Sequence, residues 1–129
     1  MPGGYTHLNL REVEDMAVKH GFSESQSARF PRRDLDAEAT GLAFLEVKPN
    51  RRQPFAHRHA EAEEIYVVVS GAGRIKLDDE IVEVSAMDAV RMAPGVGRCL
   101  EAGPDGLEVL AFGPHRDGDT EMLQGFWDD

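Results

Sequence analysis

The stretch His57-Arg58-His59-Ala60-Glu61-Ala62-Glu63-Glu64-Ile65-Tyr66-Val67-Val68-Val69-Ser70-Gly71 runs from a histidine pair through an acidic connector to an apolar run closed by glycine. On extended backbone, side chains at positions i and i+2 leave the same face about 6.5 Å apart along the chain. His57 and His59 can therefore converge on one ion. Residues Ala60–Glu63 give enough chain to turn and start a neighbouring strand at Glu64, whose carboxylate then faces the same interior. Two histidines and one carboxylate leave coordination positions open, and such a set suits iron as well as zinc, manganese, nickel or copper. The alternative is a pair of loop-edge histidines beside an ordinary solvated acidic pair, Glu63-Glu64. Tyr66 shares the strand phase of Glu64 and Val68, so it either lines the cavity as a hydrogen-bond donor or weak acid, or fills the core as an aromatic.

Outward from this stretch the text is that of a β protein. Short runs rich in Val, Ile, Leu and Phe, separated by Gly, Pro and Asp-Asp turns, predict strands over Ala28–Arg32, Gly41–Lys48, Glu64–Ser70, Gly73–Leu77, Ile81–Val84, Ala89–Met92, Arg98–Glu101 and Leu107–Phe112. Ser70-Gly71-Ala72-Gly73 supplies unhindered backbone for a tight reversal or a bulge, and Leu77-Asp78-Asp79-Glu80 favours a hairpin loop. Residues 64–84 read as consecutive antiparallel strands. Before the strands, Asn9 and Glu12 have the spacing of a capping box, and Leu10, Val13 and Ala17 share one face as far as Gly21. That predicts one helix over about residues 10–20. The class is an all-β sandwich or barrel with a short N-terminal helix.

The segment from His57 to Gly71 resembles the first motif of the cupin superfamily: glycine, five residues, His-x-His, three or four residues, glutamate, six residues, glycine. His57, His59, Glu64 and Gly71 match at motif spacing, and Arg51 stands where the opening glycine belongs. The resemblance covers residues 53–113 and implies a double-stranded β-helix, that is, a jelly-roll β-barrel, with His57, His59 and Glu64 as metal ligands. The second motif reads glycine, five residues, proline, one residue, glycine, two residues, histidine, three residues, asparagine. Aligned on Gly95, Met87 replaces its first glycine, Ala93 the proline, Arg98 the histidine and Ala102 the asparagine. The family's fourth ligand is missing, and Arg98 cannot substitute for it, because a guanidinium stays protonated and has no lone pair to offer.

If Arg98 points into the barrel mouth, its fixed charge weakens metal binding, so the cofactor is a divalent metal (Fe, Mn, Zn or Ni) or none. Its planar donors suit a carboxylate or phosphate, which makes an anionic small molecule the expected ligand. The competing reading is an internal salt bridge to Glu64 that silences the site. Arg91 either reaches the pocket or pairs with the acidic surface. His115, after Gly113-Pro114, either folds back as a ligand or stays on the surface, and His7 and His20 read as surface residues.

Composition bounds the rest. The 129 residues suit one domain, divided into an N-terminal helical extension (1–27), a barrel (28–113) and a C-terminal tail (114–129). Acidic residues outnumber Lys and Arg by 24 to 14, a net charge of −10 that repels phosphate backbones, so nucleic acid is not an expected partner. Ile65–Val69 is the longest apolar run, far short of the roughly 20 residues that cross a bilayer. The amino terminus from Met1 to His7 lacks a basic lead and an apolar stretch, and the lone Cys99 fits a reducing compartment, so a cytoplasmic location is expected. Phe126 and Trp127 near the end read as docking onto the barrel or onto a second subunit, and the resemblance implies a homodimer. Two functions fit: a metal-dependent oxygenase or isomerase acting on an acidic substrate, and a non-catalytic, metal-free barrel that binds a small molecule.

Overall fold

A computed structural model describes residues 4–128; Met1–Gly3 and Asp129, on which the readings of the two termini partly rest, lie outside the described residues. Among the described residues eight strands follow in order: β1 (Gln26–Arg29), β2 (Thr40–Val47), β3 (Ala56–His59), β4 (Glu64–Leu77), β5 (Glu80–Ser85), β6 (Ala89–Met92), β7 (Arg98–Pro114) and β8 (Thr120–Leu123). They form one antiparallel sheet ordered β1-β2-β7-β3-β8, with β4 pairing β5, β6 and β7. The sheet curls into a jelly-roll β-barrel.

The strand period of two sorts the side chains. On β7, Leu107, Val109 and Ala111 are buried, while Phe112 on the same strand is exposed; on β4, Tyr66 and Val68 are buried between exposed Ile65 and Val69. The inward sets of β2, β4 and β7 meet as one core around Leu45, Val47, Val68, Ile75, Leu100 and Val109. Each such large side chain contributes about 1.5–3 kcal/mol by leaving water. Tyr66 belongs to this cluster, and its strand neighbour Glu64 lies at the edge of it.

Two pairs of expected strands are each one strand. Glu64–Ser70 and Gly73–Leu77 are the halves of β4, and Arg98–Glu101 and Leu107–Phe112 lie within β7. Ser70–Gly73 forms a bulge rather than a reversal, with register shifts between Val68 and Ser70 and between Gly71 and Gly73. Gly71 has φ +83, and a Cβ there would lie 2.1 Å from the Gly106 carbonyl oxygen, so only glycine lets the two backbones approach this closely. The turn after Leu77 is the expected hairpin, with Leu77 opposite Glu80.

The helix expected over residues 10–20 is broken. A 3-10 turn covers Leu10–Glu12, and α1 covers only Met16–Lys19. Between them Val13 is extended and buried, and its carbonyl accepts from Arg29 Nε at 3.0 Å. Asp15 starts the second piece by accepting from Ala17 N, and the same oxygen takes the amide of Ala28 on β1. Tertiary hydrogen bonds to β1 override the local helical pattern.

The segment read as a tail carries β8, which pairs along β3 with Leu123 opposite Ala56 and Thr120 opposite His59. The last aromatics dock on the barrel itself: the Arg52 guanidinium stacks 4.1 Å over Trp127 and donates to its carbonyl, and Lys76 donates to the Phe126 carbonyl. Among the described residues no helix is long and apolar enough to cross a membrane.

Candidate metal centre

Three strands deliver the site. β3 turns His57 and His59 inward while Arg58 points out to Glu121, as the alternation requires. β4 opens on Glu64, and β7 opens on Arg98, directly opposite His57 in the β3–β7 pairing. One ligand atom from each of His57, His59 and Glu64 lies within 4.8 Å of the other two, so the three side chains are close enough to hold a metal ion. The imidazole rings of His57 and His59 stand edge to face with centroids 5.1 Å apart, and His59 Nε2 lies 3.4 Å from Glu64 Oε1.

Arg98 reaches the same carboxylate. Its side chain has 0% exposure, and Nη1 donates to Glu64 Oε1 at 2.9 Å. Glu64 therefore faces both a histidine and a fixed cation. Burial, reinforced by the Arg98 charge and only partly relieved by Glu64, pulls the His57 pKa down from 6.5 to about 4. His57 is thus a neutral imidazole at physiological pH, with a lone pair available. The buried Tyr66 hydroxyl is raised far above its usual range, first by burial and then by Glu64, against the opposing pull of Arg98. It stays a protonated phenol, buried beside Glu64 and Arg98.

The depressed His57 pKa makes the stability of the metal-free protein depend on pH. The unfolded chain takes up a proton at His57 near 6.5 and the folded one only near 4, so stability is full above 6.5 and falls as pH drops through this window. A loss of about 2–3 kcal/mol between pH 7.5 and pH 4 is expected from this group. Urea midpoints across that range should show the slope in wild type and a flatter line in His57→Ala.

Asp119, just before β8, organises the ligands and was not singled out from the sequence. Its buried carboxylate accepts from the amides of Glu61 at 2.8 Å and Ala62 at 3.0 Å, and its carbonyl accepts from Ala60 N. These bonds pin the connector between His59 and Glu64. Asp119 Oδ2 also lies 3.8 Å from His59 Nδ1, and the Thr120 hydroxyl is 3.3 Å from the same nitrogen. With Nδ1 turned to this side, Nε2 faces Glu64 and the ion site. Asp119→Ala should cost about 1–3 kcal/mol of stability by freeing buried amides. It should also weaken metal affinity by roughly 10–100-fold, a combination checked by chemical denaturation and metal titration of the same variant.

The other sequence-derived residues lie elsewhere. Arg91 is exposed on the outer face of β6, opposite Ile65, and pairs with Glu63. It does not enter the barrel, because alternation puts it out of phase with Met92, which does. His115 pairs with Asp117 on the surface, and His7 and His20 are exposed. Cys99 is a buried thiol whose pKa burial raises to about 11, consistent with a core hydrophobe.

Comparison with known proteins agrees with this architecture. The Cupin domain family model matches residues 43–112. The uncharacterized protein MJ1618 of Methanocaldococcus jannaschii is 31% identical over 81 residues, which span 60% of this chain and 65% of that protein. A cupin protein from Bacteroides fragilis superposes with a TM-score of 0.68 at 22% identity, covering 96% of this chain and 92% of the other. The polyketide cyclase RemF of Streptomyces resistomycificus gives a TM-score of 0.74 at 21% identity, covering 94% and 88%. At these identities the two solved structures show a shared fold. With more than half of its length matched by the family model and His57, His59 and Glu64 brought together within the fold, the chain belongs to the cupin family.

Proposed function

We propose that this barrel binds one divalent metal ion through His57, His59 and Glu64 and uses it to bind, and in the catalytic case to transform, an acidic small molecule. The observation that carries the reading is the convergence of three donor atoms within 4.8 Å, with His57 held neutral and His59 Nε2 directed at Glu64. A three-ligand ion leaves positions for substrate, and when bound it supplies Lewis acidity toward an oxygen of that substrate. The chain's own residues supply the rest. Arg98 orients a negative group, Tyr66 offers a hydroxyl that stays protonated, and the apolar walls around Tyr66 and Met92 keep bulk water from the floor of the site. Oxygenase or isomerase chemistry fits such a centre.

A metal-free binding barrel is the second reading, and the 2.9 Å Arg98–Glu64 pair favours it, because the guanidinium already neutralises the one carboxylate of the set. Titration of metal-free protein with Co(II), followed by visible absorption, separates the two. One equivalent of protein-bound Co(II), lost in His59→Ala, supports the metal centre. Absorption no different from that of Co(II) in buffer supports the metal-free barrel.

A further inference from the structure

Arg98 has more hydrogen-bonding capacity than its surroundings use. Its side chain is fully buried, Nη1 is spent on Glu64, and Nε and Nη2 have no hydrogen-bond partner among the described residues. The Tyr66 phenol touches the guanidinium without closing a hydrogen bond of normal geometry onto either nitrogen. Nε and Nη2 form one edge of the planar group, and this chain uses that edge elsewhere to grip carboxylates. Arg52 and Arg74 each grip one oxygen of Glu101 with Nε and Nη2 together, Arg52 on Oε2 and Arg74 on Oε1. Leaving such donors buried and unpaired is unfavourable, and more so on a charged group. Their two parallel N–H bonds match the two oxygens of a carboxylate.

Charge counting gives the same ligand. Arg98 and Glu64 form a one-to-one ion pair in the metal-free site. A divalent ion would add two positive charges beside a guanidinium that water does not reach, which is costly at low dielectric. A carboxylate beside the ion lowers that cost, and the ion in turn raises the affinity of the fork for the carboxylate. Glu64 would be shared between Arg98 and a bound ion, which would leave the guanidinium less fully neutralised.

We propose that the Nε/Nη2 edge of Arg98 is a receptor for a carboxylate-bearing small molecule whose binding is cooperative with the metal, an inference that rests on the three-ligand centre above. The ligand is small, or presents only its carboxylate end, because the receptor edge is enclosed. Thermodynamic reciprocity then requires that metal tighten the carboxylate by the same factor as carboxylate tightens the metal.

The test uses the full chain, Mn(II) and formate, the smallest carboxylate and a weak chelator in solution. Free Mn(II) is read by electron paramagnetic resonance with and without formate, in wild type, Arg98→Lys and Arg98→Gln. Formate should tighten the Mn(II) Kd of wild type by roughly 5- to 150-fold, the usual range of such coupling. The gain should vanish in Arg98→Lys, which keeps a charge without the fork, and in Arg98→Gln. The same Mn(II) Kd in wild type with and without formate overturns this inference and leaves the metal centre standing. An equal formate effect in all three proteins also overturns it, since the anion then acts on the metal alone. Absence of Mn(II) binding under either condition overturns both the inference and the metal centre.

Discussion

Glu64→Ala should destabilise the metal-free protein by about 3–5 kcal/mol, the cost of leaving a buried charge without its partner. The asymmetry of the pair decides this. The Glu64 side chain keeps 17% exposure while Arg98 keeps none, so the desolvation lost with the carboxylate falls on the guanidinium. Arg98→Met removes the charge at similar length and leaves Glu64 near enough to solvent to hydrate, so its cost should be small. The double variant Glu64→Ala/Arg98→Met should recover most of the single-variant loss. Urea denaturation of the four proteins completes the cycle, and additive losses would mean that the two groups do not interact as placed.

The second large effect is expected from Arg98→His, which should tighten divalent-metal binding by about 100-fold or more. At an effective dielectric near 20, a divalent ion roughly 5 Å from a guanidinium charge is repelled by on the order of 6 kcal/mol, of which Glu64 and solvent cancel part. The substitution removes this repulsion and adds a fourth nitrogen donor on β7 opposite His57. Isothermal titration of wild type and variant with the same metal reads the difference directly. An unchanged affinity would mean that Arg98 swings away from the ion when metal enters.

Much of the barrel is legible in the text because strand alternation and turn residues are local signals. The run Leu107–Phe112 is strand as expected, with its side chains alternating inward and outward, and Asp78-Asp79 turns the chain where a polar pair should. The bulge at Gly71 was one of two readings open at Ser70–Gly73. What decides it is the distant Gly106 backbone packed against it, a contact local sequence does not record. β8 is hidden for a similar reason. Thr120-Glu121-Met122-Leu123 is an edge strand with little buried surface, so it has no hydrophobic alternation, and its partner β3 is some sixty residues away in sequence. The broken helix shows the reverse case: Asn9 and Asp15 are both good caps, and the bonds of Asp15 and Val13 to β1 select two short pieces over one long one.

The site divides in the same way. His57, His59 and Glu64 announce themselves by spacing, and Arg98 by standing where a ligand histidine is expected. The Arg98–Glu64 pair was one of the readings open from sequence, and the structure contains it. Arg91 is settled only by the β4–β6 register, which sets it opposite Ile65, out of phase with Glu64 and Tyr66. Asp119 leaves no trace in sequence. A single aspartate in the polar stretch Asp117-Gly118-Asp119 looks solvated until its carboxylate is seen taking the amides of Glu61 and Ala62.

The most direct test of the metal centre is the metal content of purified, untagged wild type and His57→Ala, prepared without chelator and measured by mass spectrometry. The three-ligand centre predicts close to one equivalent of a divalent metal in wild type and its loss in His57→Ala. Wild-type protein without metal, with uptake appearing only in Arg98→His, would contradict it and leave a barrel in which Arg98 has taken the place of the ion.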